Sequence, residues 1–339
     1  MSERGSDTSS AATGTGGRLD ALVTRFEART PPLAALAVAV IAVSTSAILV
    51  RWSAAPSLVN ALYRVVFTIA LLGPFALSRG RGGVRSLSGR DLLMAGLAGV
   101  ALAIHFASWF ESLSWTSVAA SVTLVQAQPL FVVLGAALLL DERVTRRMDL
   151  GIGVALCGMA VMSLGDLVTG ATVAGARPLY GNALAIVGAI TAAAYVLAGR
   201  AVRQRVSLLP YVVVVYTACA ATLLVLALAR GAALFAYPPR EWLLFVGMAV
   251  GPGIFGHTVI NWALAHVESS VVSVSLLGEP VGSTLLALLL LAEVPTPITV
   301  LGGAVVLAGI YATASARSTA DSGPGQRLVD SAGTDADEA

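Results

Sequence analysis

Lysine is absent from this 339-residue chain, and all 21 basic positions are arginine. Without lysine there is no Walker A phosphate loop and no Schiff-base nucleophile. That argues against ATP-driven pumping by this polypeptide alone. None of His105, His257 and His266 begins an HExxH, no GxSxG occurs, and no Cys/His set has zinc spacing. No metal site, cofactor, catalytic residue or nucleic-acid partner is expected. Cys157 and Cys219 both fall within apolar stretches and read as small buried hydrophobes. Charge is scarce as well, at 12% against roughly 25% in soluble domains. No tract alternates with period two, so a transmembrane β-barrel is not indicated. The segment before residue 33 lacks the early apolar region of a cleavable signal, so retention is expected.

What is present is apolar. Hydrophobic residues make up 57% of the chain and the mean hydropathy is +0.84, the composition of an integral membrane protein. Ten apolar runs are expected to cross a bilayer, each near the ~20 residues a spanning helix needs. They are Leu33–Val50, Ser57–Leu77, Leu92–Ser112, Ser117–Leu140, Leu150–Leu167, Tyr180–Gly199, Leu208–Ala229, Trp242–Val267, Ser270–Leu291 and Ile298–Ala314. Residues 1–32 read as a disordered tail. Within it Leu19, Leu22, Val23 and Phe26 share one helical face flanked by arginines, so 18–29 is either an interfacial helix or a juxtamembrane linker. Residues 315–339 turn polar, then acidic, and read as a second disordered tail.

The ninth run repeats the fourth. Shifted back by 151 positions without a gap, Leu264 falls on Leu113, Pro280 on Pro129, Glu293 on Glu142, Thr296 on Thr145, Gly302 on Gly151 and Gly309 on Gly158. One register held over nearly fifty residues indicates an internal duplication, with units at 33–167 and 180–314. Arginine placement predicts orientation. Even-numbered connections carry ten (Arg79, Arg81, Arg85, Arg90, Arg143, Arg146, Arg147, Arg200, Arg203, Arg205) and odd ones four (Arg51, Arg177, Arg230, Arg240). Even connections and both termini are thus expected in the cytoplasm. Five crossings per unit put Glu142 and its twin Glu293 on opposite faces, so the units are inverted. The expected fold is all-α and polytopic, with ten transmembrane helices in two inverted five-helix repeats.

Glu279 is the acid placed near a bilayer midplane, and a charged carboxylate there costs about 2.5–3.5 kcal/mol. It reads as a proton or cation-coupling site, as the partner of a cationic substrate, or as half of a structural ion pair. Its repeat twin is Gln128, and Gln126 lies two residues earlier. Pro129 and Pro280 each free the carbonyl four residues back, on Val125 and Leu276, so each is expected to kink its helix. Arg64 lies deep in the second run. It is expected to snorkel outward, to pair with Glu279, or to bind a substrate anion. His105 and His257 occupy similar places in the two units, each followed four residues later on the same face by Trp109 and Asn261. These side chains either hydrogen-bond neighbouring helices or line a cavity. Gly247-Met-Ala-Val-Gly251-Pro252 offers a small packing face and a hinge.

The proline within run four, the ending Leu138-Leu-Leu-Asp-Glu-Arg-Val-Thr145 and the glycine-rich helix near Gly151 resemble an EamA domain of the drug/metabolite transporter superfamily. Glu279-Pro280, Leu290-Leu-Ala-Glu293-Val-Pro-Thr296 and Gly302 resemble a second copy, with Ala292 where the first has Asp141. Arg64 in Tyr63-Arg-Val-Val-Phe67 is similar to the family's arginine in helix 2. The resemblance covers about Leu33 to Ala314. It implies a central cavity lined largely by helices 3, 4, 8 and 9. Pro129, Glu142, Pro280 and Glu293 would mostly maintain the fold. It further implies a secondary transporter, expected to export an amino acid-like or drug-like metabolite across a bacterial inner membrane; protons as coupling ion are one reading of Glu279, and neither the ion nor the direction follows from the resemblance. Import or facilitation by the same fold is the alternative, and a membrane sensor or intramembrane enzyme a more distant one. Substrate identity and oligomeric state do not follow.

Overall fold

The structure, a computed structural model, describes residues 31–79, 87–140, 144–169, 175–263 and 269–321. The 18–29 segment, Asp141 and Glu142 lie outside them. The described residues are helical with short connections and contain no strand. The first unit comprises α1 (Pro32–Trp52), α2 (Ser57–Arg79), α3 (Gly89–Ser112), α4a (Val118–Val125), α4b (Gln128–Leu140) and α5 (Arg146–Thr169). The second comprises α6 (Pro178–Arg203), α7 (Leu208–Ala229), α8, α9a (Ser269–Leu276), α9b (Gly278–Leu291) and α10 (Pro297–Asp321). Helix α8 starts at Pro239–Met248, passes through a π-helical stretch at Ala249–Thr258 and resumes at Val259–Ala263. Eight segments are long and apolar enough to cross a membrane, the α4 and α9 pairs each counting once. A shorter apolar helix, Ser57–Gly73, and the interrupted α8 make up the ten.

Local chemistry sets the ends. Helices α1, α6, α8 and α10 open on proline, whose missing N–H is unpaired in a first turn anyway. Ser88 and Ser117 cap α3 and α4a, accepting from the Asp91 and Ala120 amides at 3.1 Å. At the other end of α9b, Ala292 adopts a left-handed conformation, φ 52°, a geometry that costs a residue with a Cβ roughly 1–2 kcal/mol. This is the position where the first unit has Asp141.

Packing obeys a pseudo-two-fold axis. Helix α3 packs on α6 and α7, and its counterpart α8 packs on α1 and α2. Helix α4 packs on α6, and α9 on α1, while α2–α7 and α5–α10 pair with their own twins. The α5–α10 seam shows the symmetry atom by atom. A methyl on Gly158 would sit 2.8 Å from the Gly302 carbonyl, and one on Gly302 3.0 Å from the Gly158 carbonyl. Gly151 and Gly309 oppose each other at 2.9 and 2.6 Å in the same sense. Each glycine thus faces the twin of the other, as a two-fold interface requires. Because the atoms in the way are backbone, Gly309→Ala should force the helices apart. The expected cost is about 1–3 kcal/mol, read as a lower unfolding temperature in detergent. Gly153→Ala, with nothing within 4 Å, should be silent. Equal melting of the two variants would show that the seam tolerates separation.

Helix α8 approaches α1 through Gly256, where an added Cβ would strike Val43. The Gly247 and Gly251 positions, expected to form the close-packing face, make only ordinary contacts, with Leu49 and Thr45. Pro252 lacks the N–H that a regular turn needs there, and the helix widens into the π-helical stretch.

Candidate functional site

Both broken helices part where the prolines dictate. Helix α4a ends on Val125 and α9a on Leu276, the residues whose carbonyls Pro129 and Pro280 leave without a donor. Each proline then sits in the first turn of the second half, a position that tolerates it. The halves α4a and α9b pack against each other, whereas α4b and α9a are not in close contact among the described residues. A cavity of about 300 Å³ lies beside the breaks, lined by Val125, Gln126 and Gln128 of α4 and by Glu279 of α9b.

Its wall brings together most of the expected residues. His105 and Trp109 come from α3, Gln126 and Gln128 from the α4 break, His257 from the π-helical stretch and Glu279 from α9b. Gln126 Nε2 donates to Glu279 Oε2 at 2.6 Å, joining the two breaks across the axis. The twin of Glu279, Gln128, lines the same cavity without making this bond. His105 Nδ1 lies 2.9 Å from the Gly188 carbonyl. A carbonyl only accepts, so Nδ1 carries the hydrogen and Nε2 is left available. The imidazole stacks on Trp109 at 5.8 Å, one turn along the same face. Trp109 is 5% exposed, and its Nε1 has no hydrogen-bond partner among the described residues. The Asn261 side chain lies outside the described part of the structure.

Arg64 is set one layer back, a correction to its expected place in the cavity wall. It is 3% exposed. Its Nη1 donates to Ser46 Oγ on α1 at 3.0 Å, and its guanidinium lies over the rings of Phe106 and Phe110 at 4.7 and 5.6 Å. Two phenylalanines one turn apart on α3 thus hold it, and Phe106 separates it from the cavity. It neither reaches an interface nor forms an ion pair with Glu279. Sequence reasoning passed over Tyr195 on α6 and Tyr216 on α7, which line the cavity beside Phe106. For Tyr216 the available signal was a tyrosine in mid-run, since membrane tyrosines usually sit at the interface; Tyr195, nearer the end of its run, carried no such signal.

The side of the odd connections is tied shut. Glu293 Oε1 accepts from the Val118 amide at 2.6 Å, capping α4a, and Oε2 pairs with Arg51 at 3.1 Å. Arg51 also donates to the Leu113 carbonyl at the end of α3, at 2.7 Å. One carboxylate therefore links the ends of α1, α3, α4a and α9b. A second buried acid, Glu241 at the start of α8, was likewise passed over. It accepts from Ser53 Oγ at 2.5 Å and the Ala54 amide at 3.2 Å in the first connection. On the side of the even connections the described residues include an exposed pair, Arg205–Asp91 at 3.1 Å, worth little in water.

Comparison with known proteins matches the chain to the model of the EamA-like transporter family twice, over residues 31–164 and 179–315. A protein of Streptantibioticus cattleyicolor named "Probable terminal-alkyne amino-acid exporter" is 29% identical over 69% of this chain and 77% of its own length. An uncharacterized transporter of Archaeoglobus fulgidus is 30% identical over 55% of this chain and 64% of its own. A protein crystal structure superposes with a TM-score of 0.55 at 23% identity, covering 83% of this chain and 96% of the other. That likeness concerns the fold.

Proposed function

The chain belongs to the EamA-like transporter family, and from that premise we propose that it exports a small, polar or amphipathic metabolite across the inner membrane by alternating access, coupled to protons at Glu279. The observation that carries this reading is the Gln126–Glu279 bond in the wall of the cavity, between the repeat-related breaks of α4 and α9. Breaks of this kind place half-helix ends beside a substrate, and rocking of one repeat against the other moves access from face to face. The cavity suits a ligand of amino-acid size, at the small end of the range for small-molecule pockets. The name of the Streptantibioticus relative supports the amino-acid class.

Orientation follows the arginines, with even connections and termini cytoplasmic. The packed α4a–α9b halves and the Glu293 tie then close the external side, and the divergence of α4b and α9a faces the cytoplasm, where an exporter loads. An impermeant thiol reagent should label a cysteine at Ala236 but not at Gln204, in a background lacking Cys157 and Cys219. Reversed labelling inverts the topology. The functional test compares metabolites in culture medium with and without the expressed protein. Enrichment of a small metabolite outside supports export, and depletion would make the protein an importer.

A further inference from the structure

The expected partner for a substrate anion, Arg64, lies behind Phe106, so the cavity wall of described residues holds one acid and no lysine or arginine. We propose that the cavity selects its substrate by a protonated amine and not by a carboxylate; this deepens the export reading above and rests on it. Glu279 supplies the formal negative charge. Only one of its oxygens has a protein partner among the described residues, the Gln126 amide on Oε2. The rest of the wall is aromatic or neutral. Phe106, Trp109, Tyr195 and Tyr216 present rings from α3, α6 and α7 around it. Ring faces attract an ammonium, and more strongly when water is excluded. His105 and His257 also face this space. His105 spends Nδ1–H on Gly188 and keeps Nε2 as an acceptor, which again suits a donor ligand while the ring is neutral. A carboxylate in the same place would meet the field of Glu279 and no cation among the described lining residues, with the Arg64 charge acting only from behind Phe106.

The chemistry predicts an order of ligands. An α-amino acid binds through its ammonium. Masking its carboxylate as an amide preserves binding, whereas masking its amine by acylation abolishes it. The test uses the full-length purified protein in nanodiscs and four probes on one five-carbon skeleton: L-norvaline, L-norvalinamide, N-acetyl-L-norvaline and pentanoate, each at millimolar concentration, with heat of binding as the readout. The first two should bind and the last two should not. Glu279→Gln keeps shape and should weaken binding of the amide by about tenfold or more, leaving only the ring contacts to hold it. Tyr216→Leu should weaken it by a factor of about 2–30, the range a ring–cation contact supplies, with the melting temperature checking the fold of both variants. Binding of the acetylated or amine-free probe as tight as that of the amide would overturn the proposal. So would no binding of either amine, or amine binding unchanged in Glu279→Gln. Amine binding that depends on Glu279, without gradient-driven movement in vesicles, would instead defeat the transport reading and leave the amine site standing.

Discussion

Replacing Glu279 with glutamine is expected to bring pH-gradient-driven accumulation of substrate in reconstituted vesicles down to background, while labelled substrate still exchanges across the membrane. The substitution removes one titratable proton and the negative charge that holds an amine, so exchange is measured at substrate concentrations raised to offset the weaker binding. Volume is conserved, and the amide oxygen of the new side chain accepts from Gln126 as the carboxylate oxygen does at 2.6 Å. The α4 and α9 breaks stay joined, and the barrier between inward and outward states stays where it was. What is lost is alternation between a protonated carboxyl and a carboxylate, so proton movement no longer opposes substrate movement. Other titratable groups face the cavity, namely His105, His257, Tyr195 and Tyr216, and Arg64 stands behind Phe106. None of these supplies a negative charge near neutral pH without perturbation. If Glu279→Gln accumulates substrate as the wild type does, the carboxylate is structural and the coupling mechanism is wrong. If His257→Gln alone loses coupling, the proton travels on the histidine.

The second large effect is on stability. Arg64→Ala should destabilise the protein by about 2–4 kcal/mol, with less than a threefold change in the substrate concentration for half-maximal transport by the protein that survives. Three terms set the magnitude. Two ring contacts are lost, at roughly 0.5–2 kcal/mol each when buried. A void opens where the guanidinium lay, and truncating large buried side chains costs ~2–5 kcal/mol. Ser46 loses its partner, for about 1 kcal/mol. Relief of desolvating the guanidinium offsets part of this sum, which is why the expected total lies below it. Arg64→Met keeps the stem and fills most of the space, so it should recover much of the loss. Unfolding temperature in one detergent, with transport by the same preparations, measures both quantities. A tenfold rise in the half-maximal concentration at unchanged stability would place Arg64 in contact with substrate after all.

The two variants divide along a line the amino-acid sequence could draw only in part. Some features are settled by local rules. A proline has no N–H, so the carbonyls of Val125 and Leu276, where α4a and α9a end, lose their helical donor as the sequence predicts. About twenty apolar residues make a crossing, and an odd number of crossings per duplicated unit inverts the second against the first. Once the units are inverted copies and Gly158 faces Gly302, the facing of Gly151 and Gly309 follows from symmetry. The polar residues at the breaks were legible for the same reason, since Glu279, Gln126, Gln128 and His257 are costly in hydrocarbon and have few places to go.

Tertiary structure decided which faces turn inward. Runs that are apolar nearly all round, such as α5 and α7, carry little periodic information about rotation. Periodicity therefore does not say that Tyr216 faces the cavity. Nor did spacing show that Gln126, two residues from the twin of Glu279, would be the one to reach it. The layer occupied by Arg64 depends on where Phe106 and Phe110 of another helix come to rest, and on Ser46 of a third. Depth along a helix is a property of one run and can be counted from its ends. Position around the axis belongs to several helices at once, and only their packing sets it.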